Sequence, residues 1–421
     1  MRLLLRAAAL ILLVLMVLPP VLLAQSPSPS ATPVGIAGDT AAAAEVQAWV
    51  PVLRFWTKQR DIAADDVLAA IEGRSETWKW VVVAADDPTP LWEAFGVTPS
   101  ESVATGSVEE VRSAVEGSRR VLGLIPAGLI GPELRALSVD GVSLFGQARA
   151  RDLSEWPLTA PGPSDFDPAA TWTLAAGGDV MLDREVYRKS VIQKKGPDYP
   201  WNGGFAKITS RVCCTKDGGP AITTKRVGPR GKVRELLSGA DIAVVNHEGP
   251  APDDHSYHPS GLIFTFDPDL LEGVAKAGVD VVSLANNHIR NAGSRGVRET
   301  IRNLEAWGIA AFGAGSNPRK ARAPECLDQD GTRVCFLGYN AVNTTVHSVT
   351  RERAGAAELV PRHVRADIKA LRADGADVVV VMPHWGPEYV TRVTPRQRRQ
   401  ARAMVRAGAD AVLGAHSHVT G

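Results

Sequence analysis

The chain has 421 residues, of which 45% are hydrophobic and 22% are charged. This composition is typical of a globular protein, and the length is sufficient for two or three domains that each bury a core. Lysine and arginine number 47 against 46 aspartates and glutamates, so the formal net charge is +1. A chain this close to neutrality lacks the broad positive field that attracts nucleic acid, and we expect no nucleic-acid partner.

The first 24 residues have the features of a targeting segment. Two arginines precede an apolar run that extends from Ala7 to Ala24, and a basic start ahead of an apolar core is the secretory pattern. Leu22 stands three residues before the expected cleavage point, where a small residue is preferred, and the run is also just long enough to span a bilayer. A cleaved signal peptide and a retained membrane anchor therefore both stay open, with a buried globular helix as the third alternative. Either of the first two makes the protein extracytoplasmic, secreted or anchored to the cell membrane.

Residues 25–43 are rich in serine, proline and alanine and are predicted to be a linker. In residues 44–158, apolar strand candidates such as "RVLGLIPAGLIG" and "VDGVSLFG" alternate with helical patterns such as "SVEEVRSAVEG". This alternation predicts a small α/β domain, which weakly resembles a solute-binding lobe. Residues 159–170, rich in proline and aspartate, are predicted to be a second linker.

Residues 171–421 contain seven near-continuous apolar strand candidates, from "TWTLAAGGDVML" to "ADAVLGAHSH". Helical patterns such as "SRGVRETIRNLEAWG" lie between several of them. Apolar strands joined by helices are the signature of an α/β domain whose sheet is covered on both faces.

Two cysteines of this segment are placed to form a disulfide. Cys326 and Cys335 flank Asp330 and Gly331, a dipeptide that favours a two-residue hairpin turn. Counting outward from that turn places the cysteines opposite each other at a non-hydrogen-bonded position, where Cα atoms approach closely enough for a bridge. The alternative is a pair of reduced core thiols.

Polar side chains follow the ends of five of the predicted strands. They are Asp179; Asn246, His247 and Glu248; Asn286, Asn287 and His288; His384; and His416 with His418. The carboxyl ends of strands in an α/β sheet face one crevice, where ligands bind. A lone Asp or Asn in such a place is usually a turn residue or helix cap, and a lone His is usually a surface or core residue. Their coincidence favours a divalent metal site, and carboxylate, amide and imidazole ligands suit Mn²⁺, Zn²⁺ or Fe.

The motifs "GGDVMLDR", "ADIAVVNHEGP", "SLANNH", "HWGPEY" and "GADAVLGAHSHV" make the chain recognisable. They resemble the poly-γ-glutamate capsule biosynthesis family, a branch of the calcineurin-like metallophosphoesterases. The resemblance covers Thr171 to Gly421. It implies the calcineurin-like layered-sheet fold, one or two bound metal ions, and a role in the synthesis or export of a capsule polymer.

The resemblance also implies roles for individual residues. Six match metal ligands: Asp179, Glu248, Asn287, His384, His416 and His418. One metal would be held by Glu248, Asn287, His384 and His416, and a second by Asp179 and His418, with Glu248 in the place of the bridging aspartate. His288 matches a histidine proposed to act as an acid or phosphate contact. Supporting positions are Asn246, Asn286, Asp183, Arg184 and Glu388, although a helix-start ion pair is an alternative for Asp183 with Arg184.

Two positions depart from the expected pattern. Met181 stands where the wider superfamily has a histidine, and a thioether is a poor ligand for a hard cation, so the second metal position is expected to be weaker. His247 stands where the family usually has an apolar residue, and its ring is expected to be packed or to face solvent.

Two functions follow from these features. The first is metal-dependent hydrolysis or transfer of a phosphoester outside the cytoplasm, with His288 steadying or protonating the leaving oxygen. The alternative is a non-catalytic, membrane-tethered component that binds the anionic polymer alongside other capsule-synthesis components. Because the family continues beyond the histidine pair with further strands, the domain is expected to be C-terminally truncated or shortened.

Overall fold

The computed structural model describes residues 45–419 apart from 56, 58, 165, 204–205, 214–219 and 227–231. The predicted signal or anchor of residues 1–24 and the predicted linker of residues 25–43 lie outside this part of the chain. Among the described helices, none combines the length and the apolar composition needed to cross a bilayer.

The first part of the chain forms a mixed sheet flanked by helices. Its strands are β1 (Val46–Arg54), β2 (Asp61–Ile62), β3 (Trp80–Val83), β4 (Val103–Thr105), β5 (Val121–Pro126), β6 (Leu134–Ala136), β7 (Ser138–Val139) and β8 (Thr159–Pro161). Its helices are α1 (Ala64–Ile71), α2 (Thr89–Phe95) and α3 (Val108–Gly117). The sheet has the order β4-β3-β5-β1-β6, with β8 also paired to β1, while β2 and β7 form a separate pair.

The predicted helix around "SVEEVRSAVEG" is present as α3, and its start explains why. The Ser107 side chain accepts from the Glu110 amide while the Glu110 carboxylate accepts from the Ser107 amide, a reciprocal cap of the first turn. Val111 and Val115, on the inner face of the helix, are fully buried in the cluster that also contains the residues of β1 and β5.

The start of the predicted second linker is wrong. Residues 159–161 form β8, which pairs with β1 so that Val46 lies opposite Pro161 and Ala48 opposite Thr159. The proline content of this segment indicated a linker, but an edge strand pairs through its backbone on one side only. A proline at the end of such a strand is therefore tolerated.

The predicted strand "VDGVSLFG" is also largely wrong. Of its residues, only Val139 belongs to a strand, β7, and Val142 forms an isolated bridge back to it across a turn in which Asp140 and Gly141 have φ values of 52° and 79°. An Asp-Gly pair adopts this left-handed backbone easily, so the dipeptide overrides the apolar residues on either side.

The second part of the chain supplies the remaining elements. Its strands are β9 (Leu174–Val180), β10 (Ala206–Cys213), β11 (Pro220–Arg226), β12 (Ile242–His247), β13 (Val281–Ser283), β14 (Ala310–Phe312), β15 (Ala314–Gly315), β16 (Glu325–Gln329), β17 (Thr332–Asn340), β18 (Gly355–Ala356), β19 (Val378–His384) and β20 (Ala411–Val412). Its helices are α4 (Arg184–Tyr187), α5 (Lys232–Ser238), α6 (Leu271–Lys276), α7 (Gly293–Ala306), α8 (Pro318–Ala321), α9 (Thr344–His347), α10 (Pro361–Ala373) and α11 (Pro395–Ala407).

Two four-stranded sheets form the centre of this part. The first has the order β14-β13-β12-β9 and is parallel throughout. The second has the order β16-β17-β19-β20, in which β17, β19 and β20 are parallel and β16 joins β17 as an antiparallel hairpin.

The two sheets pack face to face, with helices on their outer faces. Val244 and Val281 of the first sheet share a buried cluster with Phe336 and Val380 of the second. The next residue along each of these strands belongs to another cluster. Val245 and Val282 pack with the apolar sides of α6 and α7. Leu337 and Val381 pack with the apolar sides of α10 and α11. Because successive strand residues point to opposite faces, both faces of each sheet are buried. This explains the near-continuous apolar strands and confirms the predicted α/β class.

The predicted hairpin is confirmed, with the expected register. Cys326 lies opposite Cys335 and Gln329 opposite Thr332, with the turn at Asp330 and Gly331. The two cysteines form a disulfide, and their Cα atoms are 4.1 Å apart.

A buried arginine connects the two parts of the chain. The side chain of Arg149 is fully buried and donates to Asp241 at 2.6 Å and to Asp330 at 2.9 Å. Asp241 precedes β12 and Asp330 lies in the β16–β17 turn, so this one side chain is tied to both sheets. The part of the chain from residue 45 onward forms one compact unit, and the division into domains at residues 44–158 and 171–421 stays a prediction.

Candidate metal centre

The predicted site residues lie at the carboxyl ends of strands from both sheets. Asp179 near the end of β9 is paired with Asn246 near the end of β12. His384 ends β19 and forms a bridge with Ala415, just after β20. Parallel strands end at the same edge of a sheet, and the two edges meet here because the sheets are stacked.

Within the part of the chain that the structure describes, three overlapping groups of side chains could each hold a metal ion. They are Glu248, His384 and His416; Asp179, Glu248 and His418; and Glu388, His416 and His418. Within each group the ligand atoms lie within 4.8 Å of one another. The first two groups share Glu248, the residue expected in the bridging position.

Individual distances show how closely these groups approach. The Asn287 Oδ1 atom is 2.7 Å from the His384 Nε2 atom, and a Glu248 carboxylate oxygen is 3.5 Å from the same nitrogen. The His418 Nδ1 atom is 2.9 Å from an Asp179 oxygen and 3.8 Å from a Glu248 oxygen. The structure therefore brings together all six residues expected to be metal ligands.

The chemistry of the pocket fits a divalent cation. The side chains of Asp179 and Glu248 are only 5% and 3% exposed, and neither forms an ion pair with a lysine or arginine among the described residues. The buried Nδ1 atom of His416 has no hydrogen-bond partner in the same part of the chain. Buried carboxylates and an orphaned ring nitrogen are costly by themselves and become favourable as ligands of a cation.

The electrostatics of the carboxylates reflect this crowding. Burial, together with the neighbouring charge of Asp179, raises the pKa of Glu248 well above its usual value. Burial also acts to raise the pKa of Asp179, but the hydrogen bond from His418 and the charge of His384 outweigh it and lower that pKa to about 2.

The histidines divide into two kinds. Burial lowers the pKa of both His384 and His416 to about 4, so these rings are neutral at pH 7. Burial opposes the proton on His418 as well, but its hydrogen bond to Asp179 and the charge of Glu248 raise its pKa to about 8.

The predicted supporting asparagines lie directly behind the ligands. The Asn246 amide donates to Asp179 at 2.7 Å and lies 3.3 Å from the His384 Nδ1 atom. The Asn286 amide donates to the Asn246 oxygen and to the backbone carbonyl of His247. Both side chains are buried, so together they fix the orientation of the ligand residues.

The turn that carries the histidine pair is held on two sides. His416 and His418 have φ values of 88° and 53°, a left-handed backbone that is uncommon for histidine. The His416 amide donates to the Asp179 carboxylate, and the Tyr389 amide donates to the Ser417 carbonyl at 2.7 Å. These contacts stabilise the turn and aim both rings at the pocket.

Glu388, predicted to support the centre, lies at its outer side. One of its carboxylate oxygens is 4.0 Å from the His418 Nε2 atom, on the opposite side of the ring from Asp179. The Glu388 side chain is exposed, whereas the side chains of Asp179 and Glu248 are almost fully covered.

Asp183 and Arg184 make their contacts away from this group of ligands. Asp183 is fully buried, and its carboxylate caps the start of α4 by accepting a hydrogen bond from the Arg184 amide. The same carboxylate accepts hydrogen bonds from His258 and from the Thr265 amide. The Arg184 guanidinium donates to the Gly261 carbonyl and lies over the Phe264 ring. Neither side chain orients a candidate ligand through a hydrogen bond, and they do not form an ion pair with each other.

His288 is adjacent to the ligand Asn287 and is held by two further residues. Its ring lies 4.2 Å from the Phe264 ring, measured between centroids, and its Nδ1 atom is 3.2 Å from the Asn291 amide nitrogen. Burial and the neighbouring His347 lower the pKa of His288 to about 3. Neither partner was predicted from the sequence: Asn291 could have been found from its i+3 spacing, whereas no local signal marks Phe264.

His247, which departs from the family pattern, and Met181, which departs from the wider superfamily, are both packed into apolar surroundings. His247 is fully buried, edge-on to the Phe266 ring, and its Nδ1 atom is 3.0 Å from the Gly249 carbonyl oxygen. Met181 packs against the cluster that contains Leu182.

The chain belongs to the family of bacterial capsule synthesis proteins called PGA_cap, which matches residues 173–421, more than half of its length. It is 29% identical over 254 residues to the capsule biosynthesis protein CapA of Bacillus anthracis, covering 59% of this chain and 54% of that protein. It is 26% identical over 190 residues to the PGA biosynthesis protein CapA of Bacillus subtilis, covering 44% and 50%. A probable polyglutamine synthesis accessory protein of Mycobacterium tuberculosis is 26% identical over 266 residues, covering 58% and 68%. The chain thus spans about half the length of the two CapA proteins.

Solved structures are similar only at a low level. The NAD nucleotidase of Haemophilus influenzae gives a TM-score of 0.30 at 16% identity, covering 51% of this chain and 36% of that one. An ABC-type phosphate transport receptor from Vibrio cholerae gives 0.24 at 11% identity, covering 28% and 55%. Values this low carry no argument about fold or ligand.

Proposed function

We propose that the protein is a metal-dependent phosphoesterase-like component of capsule polymer biosynthesis that acts outside the cytoplasm. The observation that carries the proposal is the meeting of Asp179, Glu248, Asn287, His384, His416 and His418 at one edge of two stacked sheets. The layered arrangement of helices and sheets supports a calcineurin-like fold. The names of its relatives support a role in making poly-γ-glutamate.

Two cation positions would share the buried pocket. Glu248, Asn287, His384 and His416 would hold one ion, while Asp179, Glu248 and His418 would hold the other. A divalent cation bound there supplies Lewis-acid polarisation of a phosphoryl oxygen. Mn²⁺, Zn²⁺ and Fe all accept this mixture of carboxylate, amide and imidazole ligands.

His288 is the residue that we propose to contact the substrate. Its Nδ1 atom faces the amide nitrogen of Asn291, which also donates to the Phe264 carbonyl. Nδ1 therefore accepts a hydrogen bond, which leaves the proton on Nε2. A neutral ring in this tautomer can donate a hydrogen bond to a phosphoryl or leaving oxygen, which favours steadying that oxygen over protonating it.

A second function, binding of the anionic polymer without hydrolysis, is favoured by one observation. Met181 packs against apolar neighbours, so the second cation position has Asp179, Glu248 and His418 but no ligand from residue 181. A protein with one firmly held ion would grip carboxylates of the polymer rather than cleave a phosphoester. Residues 1–24 would tether it to the membrane beside other capsule-synthesis components.

One experiment separates the two functions. Hydrolysis of a chromogenic phosphodiester is measured with Mn²⁺, and binding of poly-γ-glutamate is measured with and without EDTA, for the wild type and for His416→Ala. Turnover that is lost in His416→Ala together with bound metal supports the enzyme. Chelator-sensitive polymer binding without turnover supports the binding component. Undiminished turnover in His416→Ala would rule out the assigned centre.

A further inference from the structure

Helix α11 is the most strongly cationic element described in the chain. Its 13 residues include five arginines and no aspartate or glutamate. The arginines are Arg396, Arg398, Arg399, Arg402 and Arg406, and all of them are exposed. The whole chain has a net charge of only +1, so this concentration is local.

These arginines also lack acidic partners. None of the five forms an ion pair with a carboxylate among the described residues, whereas Arg302, Arg322 and Arg372 elsewhere on the surface are each paired with an aspartate. Like charges on one helix repel each other, and such repulsion is relieved when an anion binds. The helix therefore presents a positive surface that nothing in the described fold neutralises.

A groove beside this helix combines positive charge with an apolar floor. It has a volume of about 340 Å³ and lies between α10 and α11. Arg365, Arg396 and Arg399 line it, with Leu359, Pro361, Val364, Gln400, Ala403 and Met404. Val364 and Met404 are buried and belong to the core beneath the helices, whereas Arg365, Arg396 and Arg399 are exposed.

We infer that this groove binds a stretch of anionic γ-linked polyglutamate chain. Each residue of such a polymer contributes two backbone methylene groups and one carboxylate. The methylene groups match the apolar floor, and each carboxylate can accept two parallel hydrogen bonds from an arginine. The inference rests on the proposed function, since capsule biosynthesis is what makes this polymer a partner.

The lining favours this polymer over a nucleic acid. Proteins that bind single-stranded nucleic acid stack its bases on aromatic side chains, and the residues that line the groove include no aromatic side chain. The three arginines would give such binding its charge but not its stacking platform.

The first turn of α11, on the side away from the groove, lies beside the candidate metal centre. The Gln397 side chain caps this helix by accepting from the Thr394 amide. It lies so close to Gly386 that a Cβ atom there would be 2.3 Å from the Gln397 Nε2 atom. Gly386 follows His384 by two residues, so this turn of α11 packs against the strand end that carries a candidate ligand.

The test is binding of a fluorescein-labelled γ-linked glutamate decamer, followed by fluorescence anisotropy in low salt. The groove variant carries Arg365→Gln, Arg396→Gln and Arg399→Gln. The control variant carries Arg119→Gln, Arg298→Gln and Arg351→Gln, which removes the same charge from exposed arginines outside the groove. Thermal unfolding of both variants checks that they are folded.

We expect the groove variant to bind the decamer at least about tenfold more weakly than the wild type, and the control to differ by less than about twofold. Wild-type affinity should fall with added salt and should persist in EDTA. Equal binding by the groove variant and the wild type would overturn the inference, as would equal losses in both variants. Equally tight binding of a single-stranded DNA of the same charge, or loss of decamer binding in EDTA alone, would also overturn it. Failure of the proposed metal centre would be seen separately, as an absence of bound metal in the wild type before EDTA treatment.

Discussion

The backbone amide of His416 donates a hydrogen bond to the carboxylate of Asp179 at 3.0 Å, although 237 positions separate the two residues. Asp179 lies near the end of a strand of the first sheet, and His416 follows a strand of the second. The contact therefore joins the two sheets at the point where the candidate ligands meet. It also leaves the His416 ring free to face the pocket, because the backbone and not the side chain makes the bond.

Asn246 is predicted to position the metal ligands. Its amide holds Asp179 on one side and approaches His384 on the other. Replacing Asn246 with Ala should therefore lower the affinity for Mn²⁺ by about 10–100-fold, the range typical of partners that orient metal ligands. Isothermal titration calorimetry measures this affinity.

Asn303→Ala provides the matched control, because the Asn303 amide donates to the Ala251 carbonyl and contacts none of the candidate ligands. Its Mn²⁺ affinity should stay at the wild-type value. Equal affinities in the wild type and Asn246→Ala would show that Asn246 does not orient the ligands.

Metal binding is predicted to release a proton from His418. In EDTA-treated protein, its pKa of about 8 leaves the ring protonated at pH 7, whereas a metal ligand must be neutral. The proton competes with the cation, so the affinity for metal should rise from pH 6 to pH 8, and the part due to His418 should level off above about pH 8.

The measurement is calorimetric titration of Mn²⁺ in buffers with different ionisation enthalpies. A positive number of protons released at pH 7, smaller at pH 9, is expected. In His418→Ala, the number released at pH 7 should fall by about one. An equal number in the wild type and this variant would contradict the assignment of His418 to the pocket.

The Cys326–Cys335 disulfide is predicted to stabilise the second sheet without affecting the metal centre. It closes a loop with a sequence separation of 9, for which chain entropy gives about 2–3 kcal/mol. The double variant Cys326→Ser/Cys335→Ser should lose about that much free energy of unfolding in urea. Its metal content should match that of the wild type, and a reductant should destabilise the wild type but not the variant.

Arg149 is predicted to be a major source of stability for the contact between the two parts of the chain. Replacing it with Ala leaves the carboxylate of the buried Asp241 without its cation, and breaking a buried pair in this way costs about 3–5 kcal/mol. Urea unfolding measures the loss.

Arg151→Ala is the control for this variant, because Arg151 contacts the same Asp330 from an exposed position. Exposed pairs contribute about 0–1 kcal/mol, so this variant should be nearly as stable as the wild type. If Arg149→Ala were no less stable than Arg151→Ala, the buried network would not hold the two parts together.

Some features of the site could be predicted because they follow local rules. The hairpin register follows from the turn at Asp330 and Gly331, and this register alone places Cys326 opposite Cys335. The grouping of Glu248, Asn287 and His384 follows from their positions at the ends of apolar strands, since the carboxyl ends of parallel strands share one edge. Other features were missed for a physical reason: β8 is an edge strand without an apolar pattern, and Asp183 and Arg184 have their partners in the segment 258–265, which no local spacing indicates.

The amino-acid sequence by itself indicated the α/β class, the hairpin register that places Cys326 opposite Cys335, and the polar residues at the strand ends. Each of these depends on periodicity or turn chemistry within a few residues. Only the tertiary structure decided that the two sheets stack, that Arg149 joins Asp241 to Asp330, and that the Phe264 ring packs against His288. These contacts join segments by packing and hydrogen-bond geometry, and a linear pattern of residues does not encode where such partners meet.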